Sequence, residues 1–213
     1  MTDTPKIKGK EAVKAALIDS ASQLFAQRGI AGVSVRDIAQ NAQVNHGLVH
    51  RHFGSKDRLV EAVLDFLSQE VHLQLEKQMD QDHTSSSLND FLIGLFQNTE
   101  ALGLHWRVLS HALLEGMDPH QLQNDFPVFH RLVDLCTTQL EKSDAVQSQS
   151  INQEEHKKMH AQATAQAILY FSTGLGLLLF KPYLQRAVES QGLHWSDIVP
   201  HLLTCLSSTH KGT

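Results

Sequence analysis

Apolar residues return at intervals of three and four along almost the whole of this chain, and runs that alternate in steps of two are nearly absent. That spacing lays an apolar stripe along a helix, so the sequence predicts an all-α protein. Over residues 10–27, Leu17, Ala21 and Leu24 form one stripe with the aliphatic stem of Arg28, and Ile18 and Phe25 lie beside it. Gly29 then offers a left-handed stop.

Short elements follow. Ser34, with Asp37 three residues on, has the form of a capping box and opens a helix of about two turns in which Ile38 and Ala39 face inward. After a break at residues 42–44, a third helix is expected over 45–53. Gly54-Ser55 ends it, and Ser55 caps a long fourth helix bearing Leu59, Val60, Val63, Phe66, Leu67 and Val71. Residues 80–87 are polar and break the pattern. Helices are expected beyond them over 88–102, 104–115, 119–141 with a kink at Pro127, 154–181 and 196–208.

The net charge of −5 argues against a polyanion partner if taken whole. Divided at residue 60, the chain reads differently: nine Lys/Arg against five acids before it, and nine against eighteen after. A basic head on an acidic body is what a polyanion-binding protein needs. Cys136 and Cys205 lie far apart with no CxxC spacing, so a disulfide framework is not expected and a reducing compartment fits. The polar first ten residues lack the apolar core of a signal peptide. The apolar run 167–180, about 14 residues, is short for a bilayer and reads as a buried helix. A cytoplasmic protein without membrane partners is expected.

Three of the fourteen histidines fall within residues 46–52. At about 100° per residue His50 and His52 stand about 200° apart, so the three rings do not converge on one ion. His46 and His50, four apart, could share a metal only with a ligand from elsewhere, which leaves a histidine-based metal-responsive regulator as the alternative reading. No Gly-x-Ser-x-Gly or comparable element accompanies the histidines, so catalysis and a cofactor are not expected.

Two short helices behind a packing helix make a helix-turn-helix, whose second helix enters a DNA major groove. Val49 and Phe53 share the inward face, and Gly47 and Arg51 centre the opposite one, flanked by His50 on one side and by Leu48 and His52 on the other. Gly47 lets the backbone approach the bases. Arg51 suits guanine O6/N7, and Asn45 suits adenine. Lys56 opens the fourth helix, where an ammonium and backbone amides can meet one phosphate.

The runs Leu24-Phe25-Ala26-Gln27-Arg28-Gly29, Ser34-Val35-Arg36-Asp37-Ile38-Ala39 and Val44 through Leu59 resemble the DNA-binding domain of TetR/AcrR-family transcriptional regulators, over residues 11–72. The resemblance implies an N-terminal three-helix helix-turn-helix DNA-binding domain plus a C-terminal helical ligand-binding and dimerisation domain over 73–213, behind a flexible polar arm of residues 1–10. It implies phosphate or base contacts from Ser34 and Arg36. Asn45, His46, Leu48, His50 and Arg51 would read or line the groove, and His52 and Lys56 would hold phosphate. The family usually has tyrosine where His50 stands and glycine where Gln43 stands. The implied partners are a double-stranded DNA operator, a second copy of the chain and a small-molecule effector that releases a repressor.

Ten of the thirteen aromatic residues lie beyond residue 90. Phe91, Phe96, Trp106, Phe126, Phe129, Tyr170 and Phe171 are the candidates for lining an effector pocket, with His111 as a polar member and His105 and His130 near it. Ala163, Ala167 and Gly174, with Ile198, Leu202 and Leu206, are the candidates for a helical interface between two copies, because small residues permit close approach. His156 and His160 sit among Glu154, Glu155, Lys157 and Lys158 and read as a solvated first turn.

Overall fold

The computed structural model describes residues 9–81, 88, 91–92, 99–144 and 153–208. The expected arm lies outside these except for Gly9 and Lys10. Among the described residues the named elements are all helical: α1 (Lys10–Arg28), α2 (Val35–Asn41), α3 (Gly47–Phe53), α4 (Lys56–Gln81), α5 (Thr99–Leu114), a 3-10 turn (Pro119–Gln121), α6 (Pro127–Asp144), α7 (Gln153–Glu189) and α8 (Trp195–Ser208).

The first unit comprises the described parts of Met1–Glu70 together with Glu100–Phe126. Val13, Leu17, Ile18, Ala21, Leu24 and Phe25 of α1 are buried in one core with Ile38, Ala39, Val49, Leu59, Val60, Val63, Leu64 and Leu67. Val108, Ala112 and Leu122 complete that core from the distant segment. Leu64 takes the inward place on α4 that the sequence stripe assigned to Phe66, which stands exposed.

Local chemistry sets these helices. Ser34 Oγ accepts from Asp37 N at 3.2 Å while Asp37 Oδ2 accepts from Ser34 N at 2.8 Å, the expected capping box. Those bonds from Ser34 hold the Asp37 carboxyl below its ordinary range, and Arg28 adds to the effect. At the end of α2, Val44 N donates to Ala39 O at 2.9 Å and Gln43 N to Gln40 O at 3.1 Å, the paired bonds of a Schellman motif. Gln43 takes the left-handed position of that motif at φ 55°, where glycine is usual. Buried Ser20 ties α1 to α2: its hydroxyl donates to Ile38 O at 2.9 Å and accepts from Asn41 Nδ2 at 3.0 Å.

The second unit comprises the described parts of Val71–Thr99 and Pro127–Thr213. Three sequence expectations are corrected here and in α5. One helix, α5, runs through Gly103, so no break separates 102 from 104. Pro127 opens α6 where it was expected to kink a longer helix, since a proline at the first position forfeits only an amide that would lack a partner. Pro182 lies inside α7, which continues to Glu189.

The apolar run on α7 is not buried as expected. Leu169 is 66 % exposed, Phe180 60 % and Tyr183 75 %. By length and composition alone α7 is long and apolar enough to cross a membrane, which by itself is weak evidence.

Candidate nucleic-acid interface

The helix-turn-helix presents α3 with Val49 buried beneath it and Phe53 and Leu48 packed partly against the core. Arg51, His50, His46 and Gly47 are exposed, as are Ser34 and Arg36 on the preceding element. Arg36 and Arg51 make no hydrogen bond or ion pair with the described residues, so both guanidiniums stand ready for an external acceptor. Of the residues expected to face a groove from α3, Gly47, His50 and Arg51 are exposed, whereas Leu48 and His52 are half-buried.

Some of its members also have internal work. Asn45 Oδ1 accepts from Gly47 N at 2.8 Å, opening α3, which leaves its amide hydrogens for a partner outside. A Cβ on Gly47 would stand 3.2 Å from that oxygen, so the glycine keeps the cap tight as well as the surface low. Ser34 Oγ is committed to the capping box. Lys56 Nζ donates to Ile30 O, so one of its three hydrogens braces the turn between α1 and α2. His50 Nδ1 lies 3.0 Å from Gly54 O, at the end of α3.

Leu48, Arg51 and His52 line a cleft of about 400 Å³ with Gly9, Lys10 and Val13 of the α1 end. Lys10 was not among the expected contacts, yet it places a further cation beside Arg51 and half-buried His52. The His52 ring packs tilted against Phe53, with centroids 6.2 Å apart.

Another residue missed from the sequence is Glu115. Its Oε1 accepts from Ile30 N at 2.9 Å and its Oε2 from Ala31 N at 2.6 Å. Nothing local signals a bond across 85 residues; only Gly29, whose φ is +74°, marks the place.

Among the described residues no group of three His, Cys, Asp or Glu side chains could hold a metal ion. Histidine-based metal sensing finds no support. His156 and His160 are exposed.

The aromatic candidates are divided. Phe91 and Tyr170 are buried in the second unit, and Phe129 and Phe171 meet edge to face with centroids 5.6 Å apart. Trp106, His111 and Phe126 belong to the first unit: Trp106 is buried against His105, His111 lies beside Gly29 and Glu115, and Phe126 is exposed. His130 is exposed. Phe96 lies outside the described residues.

The interface candidates are corrected in part. Ala163 and Ala167 are each 0 % exposed, enclosed by their own chain, and cannot meet a second one. Gly174, Ile198 and Leu202 are partly exposed, and the side chain of Leu206 lies outside what is described.

This is the fold of a helix-turn-helix domain whose second helix carries exposed His46, Gly47, His50 and Arg51 at its start and along its outer face. Residues 17–63 match the family model of bacterial regulatory proteins of the tetR family. Over 126 residues the chain is 44 % identical to the HTH-type transcriptional repressor Rv3405c of Mycobacterium tuberculosis, a match spanning 59 % of this chain and 60 % of the relative. Over 80 residues it is 36 % identical to the HTH-type transcriptional regulator BetI of Brucella canis, spanning 38 % of this chain and 40 % of that protein. Among solved structures, Salmonella enterica GusR shares the fold at TM-score 0.61 and 19 % identity, over 94 % of this chain and 96 % of GusR. Over residues 17–63 the chain thus resembles the DNA-binding domain of tetR-family regulators, and it spans about 60 % of the length of the curated relatives it matches.

Proposed function

We propose that this protein is a sequence-specific transcriptional repressor that binds a DNA operator as a homodimer and leaves it when a small apolar or amphipathic ligand binds. The observation that carries the reading is the exposed ridge of α3, where Gly47 and Arg51 stand with His50 over a buried Val49. A guanidinium on such a ridge donates two parallel bonds to guanine O6 and N7, and a backbone without a side chain beside it lets the helix sit deep. Arg36, Lys10 and His52 supply further hydrogen-bond donors or cations for the phosphates.

Two copies fit the exposed apolar residues of α7, Leu169, Phe180 and Tyr183, which water would otherwise cover. A pair related by a two-fold axis would offer two α3 helices to half-sites about 34–36 Å apart or a multiple of that. Such a protein works where the DNA is, in the cytoplasm. Release requires a ligand that binds the DNA-incompetent arrangement more tightly than the competent one. The Phe129–Phe171 pair, with Tyr170 beside it in sequence, is the apolar cluster that recommends the second unit for that ligand.

The test is enrichment of duplexes from a randomised pool by the full chain. A single family of two-fold symmetric sites supports the reading, and an enriched pool without any shared sequence contradicts it.

A further inference from the structure

Ile30 and Ala31 begin the turn between α1 and α2, and one carboxylate from outside the helix-turn-helix takes both of their amides. Glu115, the residue after α5, accepts from Ile30 N at 2.9 Å and from Ala31 N at 2.6 Å. On the other side of the same residue, the Ile30 carbonyl accepts from Lys56 Nζ. Ile30 is thus gripped between an acid just past the end of α5 and a base at the start of α4.

Gly29 is shaped to this grip. A Cβ there would stand 2.6 Å from Glu115 Oε1 and 3.3 Å from His111 Nδ1, and φ is already +74°. Any side chain would push the carboxylate off the turn. Within the turn itself the support is slight: Val33 N donates to Ile30 O at 3.3 Å. Without Glu115, two amides would be left to water and the turn could relax.

Resting on the DNA-binding reading, we propose that Glu115 is a positioning residue for operator recognition. It fixes where the α1–α2 turn stands, and so the attitude in which α2 and α3 meet the groove. A bidentate base contact tolerates little misplacement, whereas phosphate attraction tolerates much. Loss of the carboxylate should therefore cost sequence-specific binding and leave non-specific binding alone. Losing its two amide bonds should also lower the melting temperature somewhat, so binding is compared with every variant fully folded.

The test uses the full chain with Glu115→Gln, Glu115→Ala and Gly29→Ala. Each is titrated against the duplex that the wild type enriches from a randomised pool and against an unrelated duplex of equal length. Each variant is expected to lose about tenfold on the enriched duplex, the worth of a charge-assisted hydrogen bond, with affinity and salt dependence on the unrelated duplex unchanged. Gly29→Ala combined with Glu115→Ala should cost less than the two losses together, because both dislodge one carboxylate. Hydrogen exchange at the Ile30 and Ala31 amides, read in Glu115→Gln, should quicken. Equal losses on both duplexes, a loss that merely follows a fallen melting temperature, or wild-type affinity in Glu115→Gln with slow exchange would each overturn the proposal. The last outcome would leave the DNA-binding reading standing, whereas a wild type that enriches no duplex would end both.

Discussion

The ring nitrogen Nδ1 of His50 lies 3.0 Å from the carbonyl oxygen of Gly54, one turn further along the chain. A carbonyl only accepts, so Nδ1 carries the hydrogen and the neutral ring has Nε2 as an acceptor. In that form His50 is matched to an amino group, adenine N6 or cytosine N4, and mismatched to guanine. Tyrosine, which similar proteins usually have here, carries a hydroxyl that both donates and accepts. His50→Tyr is therefore expected to broaden the base preference opposite α3 when operators are reselected. An unchanged preference would mean that Nε2 faces no base.

Arg51 and Lys56 should separate. Arg51→Ala is expected to cost roughly 1–3 kcal/mol on the preferred site and to relax the preference at one base pair. Lys56→Gln keeps a hydrogen for the Ile30 carbonyl while removing the charge, so it should weaken all sequences alike and flatten the salt dependence by about one. Titrations over a salt series with two operator variants decide; identical behaviour of the two mutants would contradict the division of roles.

Much of the head was legible because its chemistry is local. Ser34 and Asp37 are three residues apart, and their capping box could be read directly. At Gln43 the left-handed turn was legible only through the resemblance, which puts glycine there, since glutamine itself gives no sign of a φ of 55°. Glu115 could not be found at all, because its partners are 84 and 85 residues away. The prolines show the limit of local rules. Pro127 starts a helix and Pro182 sits within one, and only the surrounding packing separates those outcomes. The small residues of α7 misled for a related reason. Their size permits close approach but does not say whether the neighbour is the same chain, and Ala163 and Ala167 are filled from within.

That distinction has a consequence for assembly. Leu169→Glu with Phe180→Glu, on exposed apolar positions, is expected to give a folded monomer by light scattering with weakened operator binding. Ala167→Leu, at an enclosed site, should instead lower stability by about 1–3 kcal/mol through overpacking and leave the mass unchanged. A double-glutamate variant of unaltered mass would place the interface elsewhere.

His105 makes the head sensitive to acid. Burial pushes its imidazole down to about 4, against the pull of a hydrogen bond with Gln123 Oε1 at 3.4 Å. In the unfolded chain the ring protonates near 6.5, so between those values the unfolded state binds the extra proton. Stability is thus fully present above about pH 6.5 and lost as pH falls toward 4, by as much as about 3 kcal/mol. Urea unfolding across that window should show the slope, and His105→Gln should flatten it. An equal slope in both proteins would assign the acid sensitivity to other groups.

The most direct measurement is competition on the duplex that the full chain enriches, with a scrambled duplex of the same composition as competitor. The wild type is expected to stay on the enriched duplex through a large excess of the scrambled one, and Arg51→Ala to be displaced. Equal displacement of both proteins would contradict sequence-specific recognition through α3.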